Sequence, residues 1–129
     1  MTIAVFGATG GTGFHFVRFA IEEGLQIKAL VRDPTKDSIS QVADKIEVIK
    51  GDLYKYEDVE KTVKGCDVVV GLVGAEQKDI MVTFKDNVLK AMRENNIKRL
   101  IVMTTAAVKT SEDNFSLGQG FMSFFLKNI

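Results

Sequence analysis

The stretch Ile3-Ala4-Val5-Phe6-Gly7-Ala8-Thr9-Gly10-Gly11-Thr12-Gly13-Phe14 decides how the rest of the chain is read. Ile3 to Phe6 is a short β-branched and aromatic run that stops at a glycine, as a buried parallel strand does. Past the glycines, Phe14, Val17, Arg18, Ile21 and Glu22 recur at helical spacing, and Gly24 ends that helix. The turn between them has the spacing G-x-x-G-x-x-G, one residue longer than G-x-G-x-x-G. Gly7 lets the strand turn sharply, Gly10 lets an anion approach the backbone with no Cβ in the way, and Gly13 lets the helix pack close. Free N–H groups at the helix start, aided by the helix dipole, then face a pyrophosphate. Thr9 and Thr12 can add hydroxyl donors. A glycine-rich turn can be only a turn. One that follows a strand, opens a helix and starts a βαβ unit is in the context that marks a dinucleotide site.

Working outward, strand and helix alternate to the end of the chain. Gln26 to Val31 is a second strand, closed by Arg32-Asp33-Pro34, and a short helix is expected over 39–43. Ile46 to Ile49 is a third strand, ending in Gly51-Asp52. Asp58 to Val63 is helical and stops at Gly65. Asp67 to Val73 is a strongly apolar fourth strand, and Ile80 to Glu94 is a long helix. Leu100 to Met103 is a fifth strand, residues 109–120 form a polar loop, and Phe121 to Leu126 belongs to a last helix. This alternation predicts an α/β domain over residues 1–129, with a parallel sheet covered on both faces. Right-handed crossovers favour the doubly wound order 3-2-1-4-5 of a Rossmann fold. Ligands in such sheets sit beyond the carboxyl ends of the strands, so the residues after each strand are the ones to examine.

After the second strand, a nicotinamide dinucleotide site shows either an acid for the ribose 2′-hydroxyl or an arginine for a 2′-phosphate. Here it shows Arg32. A guanidinium takes a phosphate bidentately and stacks on adenine, so the reading is NADP(H) in preference to NAD(H). Asp33 pulls the other way if it faces the ribose, and it can instead pair with Arg32 or cap the turn at Pro34. After the third strand, Asp52 can accept from the exocyclic amine of adenine and Leu53 can cover the ring, although Gly-Asp is also common turn chemistry. After the fourth, Gly74 and Ala75 leave room for the nicotinamide ribose. After the fifth, Thr104 and Thr105 are expected at the mouth of the cleft, where a hydroxyl can orient a substrate carbonyl or the carboxamide, although composition alone favours two β-branched residues that simply finish a strand. His15, in the first turn of the first helix, reads as an exposed residue.

The totals exclude several classes. Lys+Arg and Asp+Glu stand at 17 each, so no overall field recruits nucleic acid or an anionic membrane. The apolar runs fall short of the roughly 20 residues that cross a bilayer. The single cysteine, Cys66, excludes an internal disulfide framework and, with no leader-like start, makes the cytoplasm the expected compartment. With one His and one Cys far apart, neither a metal site nor a Ser-His-Asp group is expected. Neither Tyr54 nor Tyr56 has a lysine four residues on, so no Tyr-x-x-x-Lys pair is available as a tuned proton donor. Catalysis would then lean on the cofactor's hydride and on positioning.

The segments GATGGTG (7–13), LVRDP (30–34), GDL (51–53), GCDVVVGLVGA (65–75) and IVMTTAAV (101–108), in that order, resemble the atypical short-chain dehydrogenase/reductase group. Within it the chain looks most like NmrA-like NAD(P)H-binding proteins and the flavin/biliverdin reductase B type. That resemblance implies that Thr9, Gly10, Gly11 and Thr12 bind the pyrophosphate and Arg32 the 2′-phosphate. It implies Asp52 and Leu53 at adenine, and Gly74 with Thr104 at the nicotinamide half. Flavin reductases of this type have a serine where Thr105 falls, which would make Thr105 the catalytic hydroxyl. Family members are longer, adding at least one strand and the segments that wall the substrate pocket. The chain stops at Ile129, inside the helix after the fifth strand, so it is either a piece or a minimal form. Its apolar run Phe121, Met122, Phe124, Phe125, Leu126 suggests a buried helix or a homodimer surface. The expected function is NADPH-dependent reduction of a small planar acceptor such as a flavin or quinone. The alternative is a non-catalytic dinucleotide sensor of the NmrA-like type, and an isomerase or epimerase of nucleotide-sugars is disfavoured by the missing tyrosine–lysine pair.

Overall fold

Ile3, Ala4, Val5 and Phe6 are all buried, and burial on both faces puts β1 (Thr2–Phe6) at the centre of the sheet. The computed structural model describes residues 1–35, 37–74 and 79–103. β1 pairs in parallel with β2 (Gln26–Val31) on one side and with β4 (Val68–Gly71) on the other. β3 (Glu47–Lys50) extends the sheet beyond β2, and β5 (Arg99–Val102) extends it beyond β4. The resulting order is β3-β2-β1-β4-β5, all parallel, as the alternation predicts. The expected last helix, over 121–126, lies outside the described residues.

Period-two alternation along the strands divides the core into two layers. Ile3 and Val5 of β1, with Ile27, Ala29 and Val31 of β2, face α1 (Gly11–Glu22) and α2 (Asp37–Ser40). Ala4 and Phe6, with Val69 of β4, face α3 (Tyr56–Val63) and α4 (Ile80–Glu94). In that second layer Phe6 and Phe84 meet edge to face, with centroids 5.7 Å apart and planes at 76°. Such a pair adds about 0.5–1.5 kcal/mol beyond the area it buries. Cys66 is buried in the same layer and donates to the Thr62 carbonyl oxygen (3.3 Å), and its burial pushes the thiol pKa up.

Several boundaries differ from those read in the sequence, those of β4 and α3 for a local reason. β4 ends at Gly71 rather than at Val73: the Leu72 N–H still bonds the Phe6 carbonyl (2.8 Å), but Gly7 then leaves the ladder at φ +84°. α2 covers Asp37–Ser40 instead of 39–43, and 41–45 continue as turns. α3 starts two residues earlier than expected, at Tyr56, because the Lys55 carbonyl accepts the N–H groups of Asp58 (3.2 Å) and Val59 (3.3 Å). β3 and β5 are each displaced by one residue, to Glu47–Lys50 and Arg99–Val102. Gly24 and Gly65 close their helices at positive φ, as expected.

α3 and α4 run side by side and are tied by polar contacts. The Tyr56 hydroxyl donates to the Glu94 carboxylate, and the Lys90 ammonium lies 3.9 Å from the centre of the Tyr56 ring. Asn95 donates to the Ala91 carbonyl (2.9 Å) and, more weakly, to Glu60 (3.5 Å). The Glu94 contact, with burial and the nearby Glu60 and Glu57, pushes the Tyr56 pKa from 10.0 to about 12. A pKa raised by folding stabilises the native state below pH 10, and that contribution is lost as the pH rises through 12. Urea unfolding is therefore expected to show stability falling across this window, with Tyr56→Phe flattening that fall.

Candidate functional site

The order of the sheet reverses at β1, between β2 and β4, which opens a crevice beyond the carboxyl ends of the strands. A cleft lies there. Gly7 and Thr9 line it from the first turn, Arg32 from the end of β2, and Gly51, Asp52 and Leu53 from the end of β3. Residues predicted from three separate turns are thus brought together. Phe6, Leu30, Val73 and Ile80 supply apolar walls, and Tyr54 completes the rim. These were not singled out in the sequence, since all but Tyr54 read there simply as strand or helix residues.

The first turn is set by steric necessity. Gly7 sits at φ +84°, and a Cβ on it would lie 2.5 Å from the Leu72 carbonyl oxygen. A Cβ on Gly13 would lie 1.9 Å from the Gly7 carbonyl oxygen, so Gly13 packs against the turn itself. Around Gly10 and Gly11 there is room instead: a Cβ on Gly11 would meet nothing within 4 Å. The helical bonding of α1 begins with the Phe14 N–H to the Gly10 carbonyl (2.8 Å). No side chain caps this helix start, and no acidic residue stands in its first turn. The first-turn N–H groups and the positive end of the helix dipole are therefore available to an anion. Thr12 is exposed on that turn, whereas His15 lies on the outer face of α1 with Arg18, Phe19 and Glu22, away from the cleft.

At the end of β2, Arg32 is exposed and makes no ion pair among the described residues. Asp33 turns inward on its own loop. Its Oδ1 accepts from the Thr35 N–H (3.0 Å) and the Thr35 hydroxyl (2.6 Å), spanning Pro34. Of the readings open for Asp33, the structure therefore has it capping the turn.

The loop after β3 is held from several sides. The Asp52 N–H donates to Asp58 Oδ2 (2.9 Å), and the Asp52 carbonyl accepts from the Lys55 N–H (3.0 Å). Asp52 Oδ1 accepts from the Tyr54 N–H (2.9 Å), and the Leu53 carbonyl accepts from Asn87 Nδ2 (2.8 Å). Two polar groups of Asp52 and Leu53 are left with no partner among the described residues: the Leu53 N–H and Asp52 Oδ2. Asp58 and Asn87 were missed in the sequence reading. Asp58 appeared there only as a helix start and Asn87 as one polar position of a long helix.

Gly74, after β4, is exposed and does not line the cleft, while Ala75, Thr104 and Thr105 lie outside the described residues. Tyr56 does meet a lysine, but Lys90 covers its ring face and its hydroxyl faces Glu94. With its pKa pushed up to about 12, Tyr56 is the opposite of a tuned proton donor, and it stands outside the cleft. Among the described residues no group of three His, Cys, Asp or Glu side chains could hold a metal ion. No described helix is long and apolar enough to cross a membrane.

A family model described as NAD(P)H-binding matches residues 7–127. The chain belongs to the NAD(P)H-binding family. An isoflavone reductase homolog from Zea mays is 31% identical to this NAD(P)H-binding chain over 105 residues, covering 75% of this chain and 33% of the maize protein. The chain thus spans about a third of the length of the curated relatives it matches. Among solved structures, the anaerobilin reductase ChuY of Escherichia coli O157:H7 superposes with a TM-score of 0.76 at 19% identity, over 97% of this chain and 61% of that one. Nmra, a negative transcriptional regulator, superposes at 0.70 with 18% identity, over 78% of this chain and 32% of its own. At those identities the two structures speak to the fold.

The turn geometry separates two glycines that look alike in sequence. Gly13→Ala is expected to cost at least about 3 kcal/mol, because the Gly7 carbonyl must move. Gly11→Ala should leave stability unchanged or raise it by up to about 1 kcal/mol, since alanine suits a helix start with open space. Urea unfolding of the two variants against the parent checks both.

Proposed function

We propose that this chain binds NADPH and presents it for hydride transfer to a small planar acceptor such as a flavin or a quinone, in the manner of the flavin/biliverdin reductase B type. The observation that carries this reading is the company Arg32 keeps. It is exposed at the rim of the cleft, without an ion pair among the described residues, while its acidic neighbour Asp33 is engaged by Thr35.

The residues fit the cofactor. The uncapped start of α1 and the open space at Gly10 and Gly11 suit a pyrophosphate, with Thr9 and Thr12 as hydroxyl donors. Arg32 offers a planar fork of donors to a 2′-phosphate. The Leu53 N–H and Asp52 Oδ2 form an adjacent donor and acceptor that match N1 and the exocyclic amine of adenine, with the Leu53 side chain against the ring. The sequence order alone assigns Gly74 and Ala75, which follow β4, to the nicotinamide ribose. On the sequence resemblance alone, we assign Thr104 to the nicotinamide half and Thr105 to orienting the acceptor through its hydroxyl. Bound nicotinamide supplies the hydride, and the protein's own part is to bind, orient and exclude water. A planar acceptor suits a site in which the described residues offer no tuned acid, because stacking aligns it without a proton donor. The names of the maize reductase homolog and of ChuY support a reductase, and a cytoplasmic setting accords with one reduced, buried cysteine. The likeness to Nmra favours a second reading, in which the chain binds the dinucleotide and reports it to a partner or to a second copy through residues 121–126 without turnover.

Two measurements test this. Arg32→Ala is expected to weaken NADPH binding by about 1.5–3 kcal/mol, on the order of ten- to a hundredfold, and to leave NADH binding unchanged by calorimetry. Parallel losses for both nucleotides would refute the 2′-phosphate role. NADPH oxidation is expected in the presence of FMN or a quinone. Tight binding with no turnover on any planar acceptor, together with a change in oligomeric state, would favour the regulator.

A further inference from the structure

We infer that Asp58 and Asn87 are positioning residues that set the base selectivity of the cleft, favouring adenine over 6-oxopurines; this rests on the cofactor reading above. The loop Asp52–Tyr54 contains three consecutive peptide planes, and each is fixed by a bond at one or both of its polar groups. The Gly51–Asp52 plane is held by Asp58 through the Asp52 N–H (2.9 Å). The Asp52–Leu53 plane is held through the Asp52 carbonyl by Lys55 (3.0 Å). The Leu53–Tyr54 plane is held at both groups, its carbonyl by Asn87 (2.8 Å) and its N–H by Asp52 Oδ1 (2.9 Å).

In a trans peptide the C=O and N–H point in opposite directions, so fixing the Asp52 carbonyl also aims the Leu53 N–H. What remains is one donor beside one acceptor, in a fixed order. Adenine presents the complement, an N1 acceptor beside an amine donor. Hypoxanthine and guanine present the reverse, an O6 acceptor toward the Asp52 carboxylate and an N1–H toward the Leu53 N–H. A site whose polar groups are held in one pattern disfavours the reversed pattern, because both groups, half-buried in the cleft, are covered by the base and left unpaired.

The two positioning side chains come from different elements. Asp58 lies in the first turn of α3 and reaches back to the loop. Its partner glycine is fitted to it, since a Cβ on Gly51 would lie 2.6 Å from Asp58 Oδ2. Asn87 lies on α4 and reaches across. Without Asp58 the Asp52 N–H becomes a second free donor in the loop, able to meet O6. Without Asn87 the Leu53–Tyr54 plane loses its longer-range tie, and the order of donor and acceptor loosens.

The test is calorimetric titration of the 129-residue chain with NADPH and with its hypoxanthine analogue. The parent is expected to prefer the adenine form by about tenfold or more. Asp58→Ala and Asn87→Ala are expected to bring that ratio to within about threefold of unity. Asp58→Asn, whose amide oxygen can still accept from Asp52, is expected to keep most of it. If an alanine variant does not fold, Asp58→Ser and Asn87→Ser take its place. A merely structural role would weaken both nucleotides in proportion and leave the ratio unchanged, and that result overturns the inference, as does a parent that binds both forms equally. A parent that binds neither overturns the cofactor reading itself.

Discussion

Everything at the carboxyl end of the sheet depends on one close approach, the Gly13 backbone seated against the Gly7 carbonyl. With a side chain excluded at Gly13, helix α1 starts directly from the turn that ends β1, and its first N–H groups are delivered to the point where the sheet order reverses. Gly7 makes that geometry possible from the other side. Its positive φ takes the chain out of the ladder, and its missing Cβ admits the Leu72 carbonyl. A substitution at either position displaces β1, β4 and α1 together, because all three meet within the same few ångströms.

Around that point the sheet is built for rigidity. β1 is buried on both faces and has strands on both sides, so its end can move little. The loops that follow the strands are secured by short-range polar bonds. Asp33 folds onto Thr35, Asp52 onto Tyr54, and Asp58 back onto Asp52. Such local side chain to backbone bonds let an exposed loop keep one conformation without a hydrophobic core of its own.

Much of this could be read from residue order alone, and the reasons are physical. Apolar periodicity fixed the kind and sequence of the elements, and the glycine spacing placed the turn. Right-handed crossovers then left one strand order to prefer. Gly7, Thr9, Arg32, Asp52 and Leu53 were found because each follows a strand, and the topology collects the ends of parallel strands. The fourth strand was read too long because Leu72 and Val73 are as apolar as the strand. Only pairing geometry shows that the ladder stops at Gly71. Asp58 and Asn87 escaped for a different reason. Their role is a contact between elements, 6 and 34 residues along the chain from the groups they hold, and neither spacing leaves a periodic trace. The turn at Asp33 was one of several local options that composition could not separate.

Helix α4 has a consequence for how a two-part ligand is received. Its first residue, Ile80, borders the cleft, its middle grips the Leu53 carbonyl through Asn87, and its end is bonded to Tyr56. It ties the cleft wall at Ile80 and the loop after β3 to helix α3. The parts of a ligand that meet Ile80 and the loop at Leu53 meet one braced body, so the helix itself has little left to order when either docks. The two parts joined should therefore gain over their separate affinities through the covalent link between them, on a scaffold that is already set.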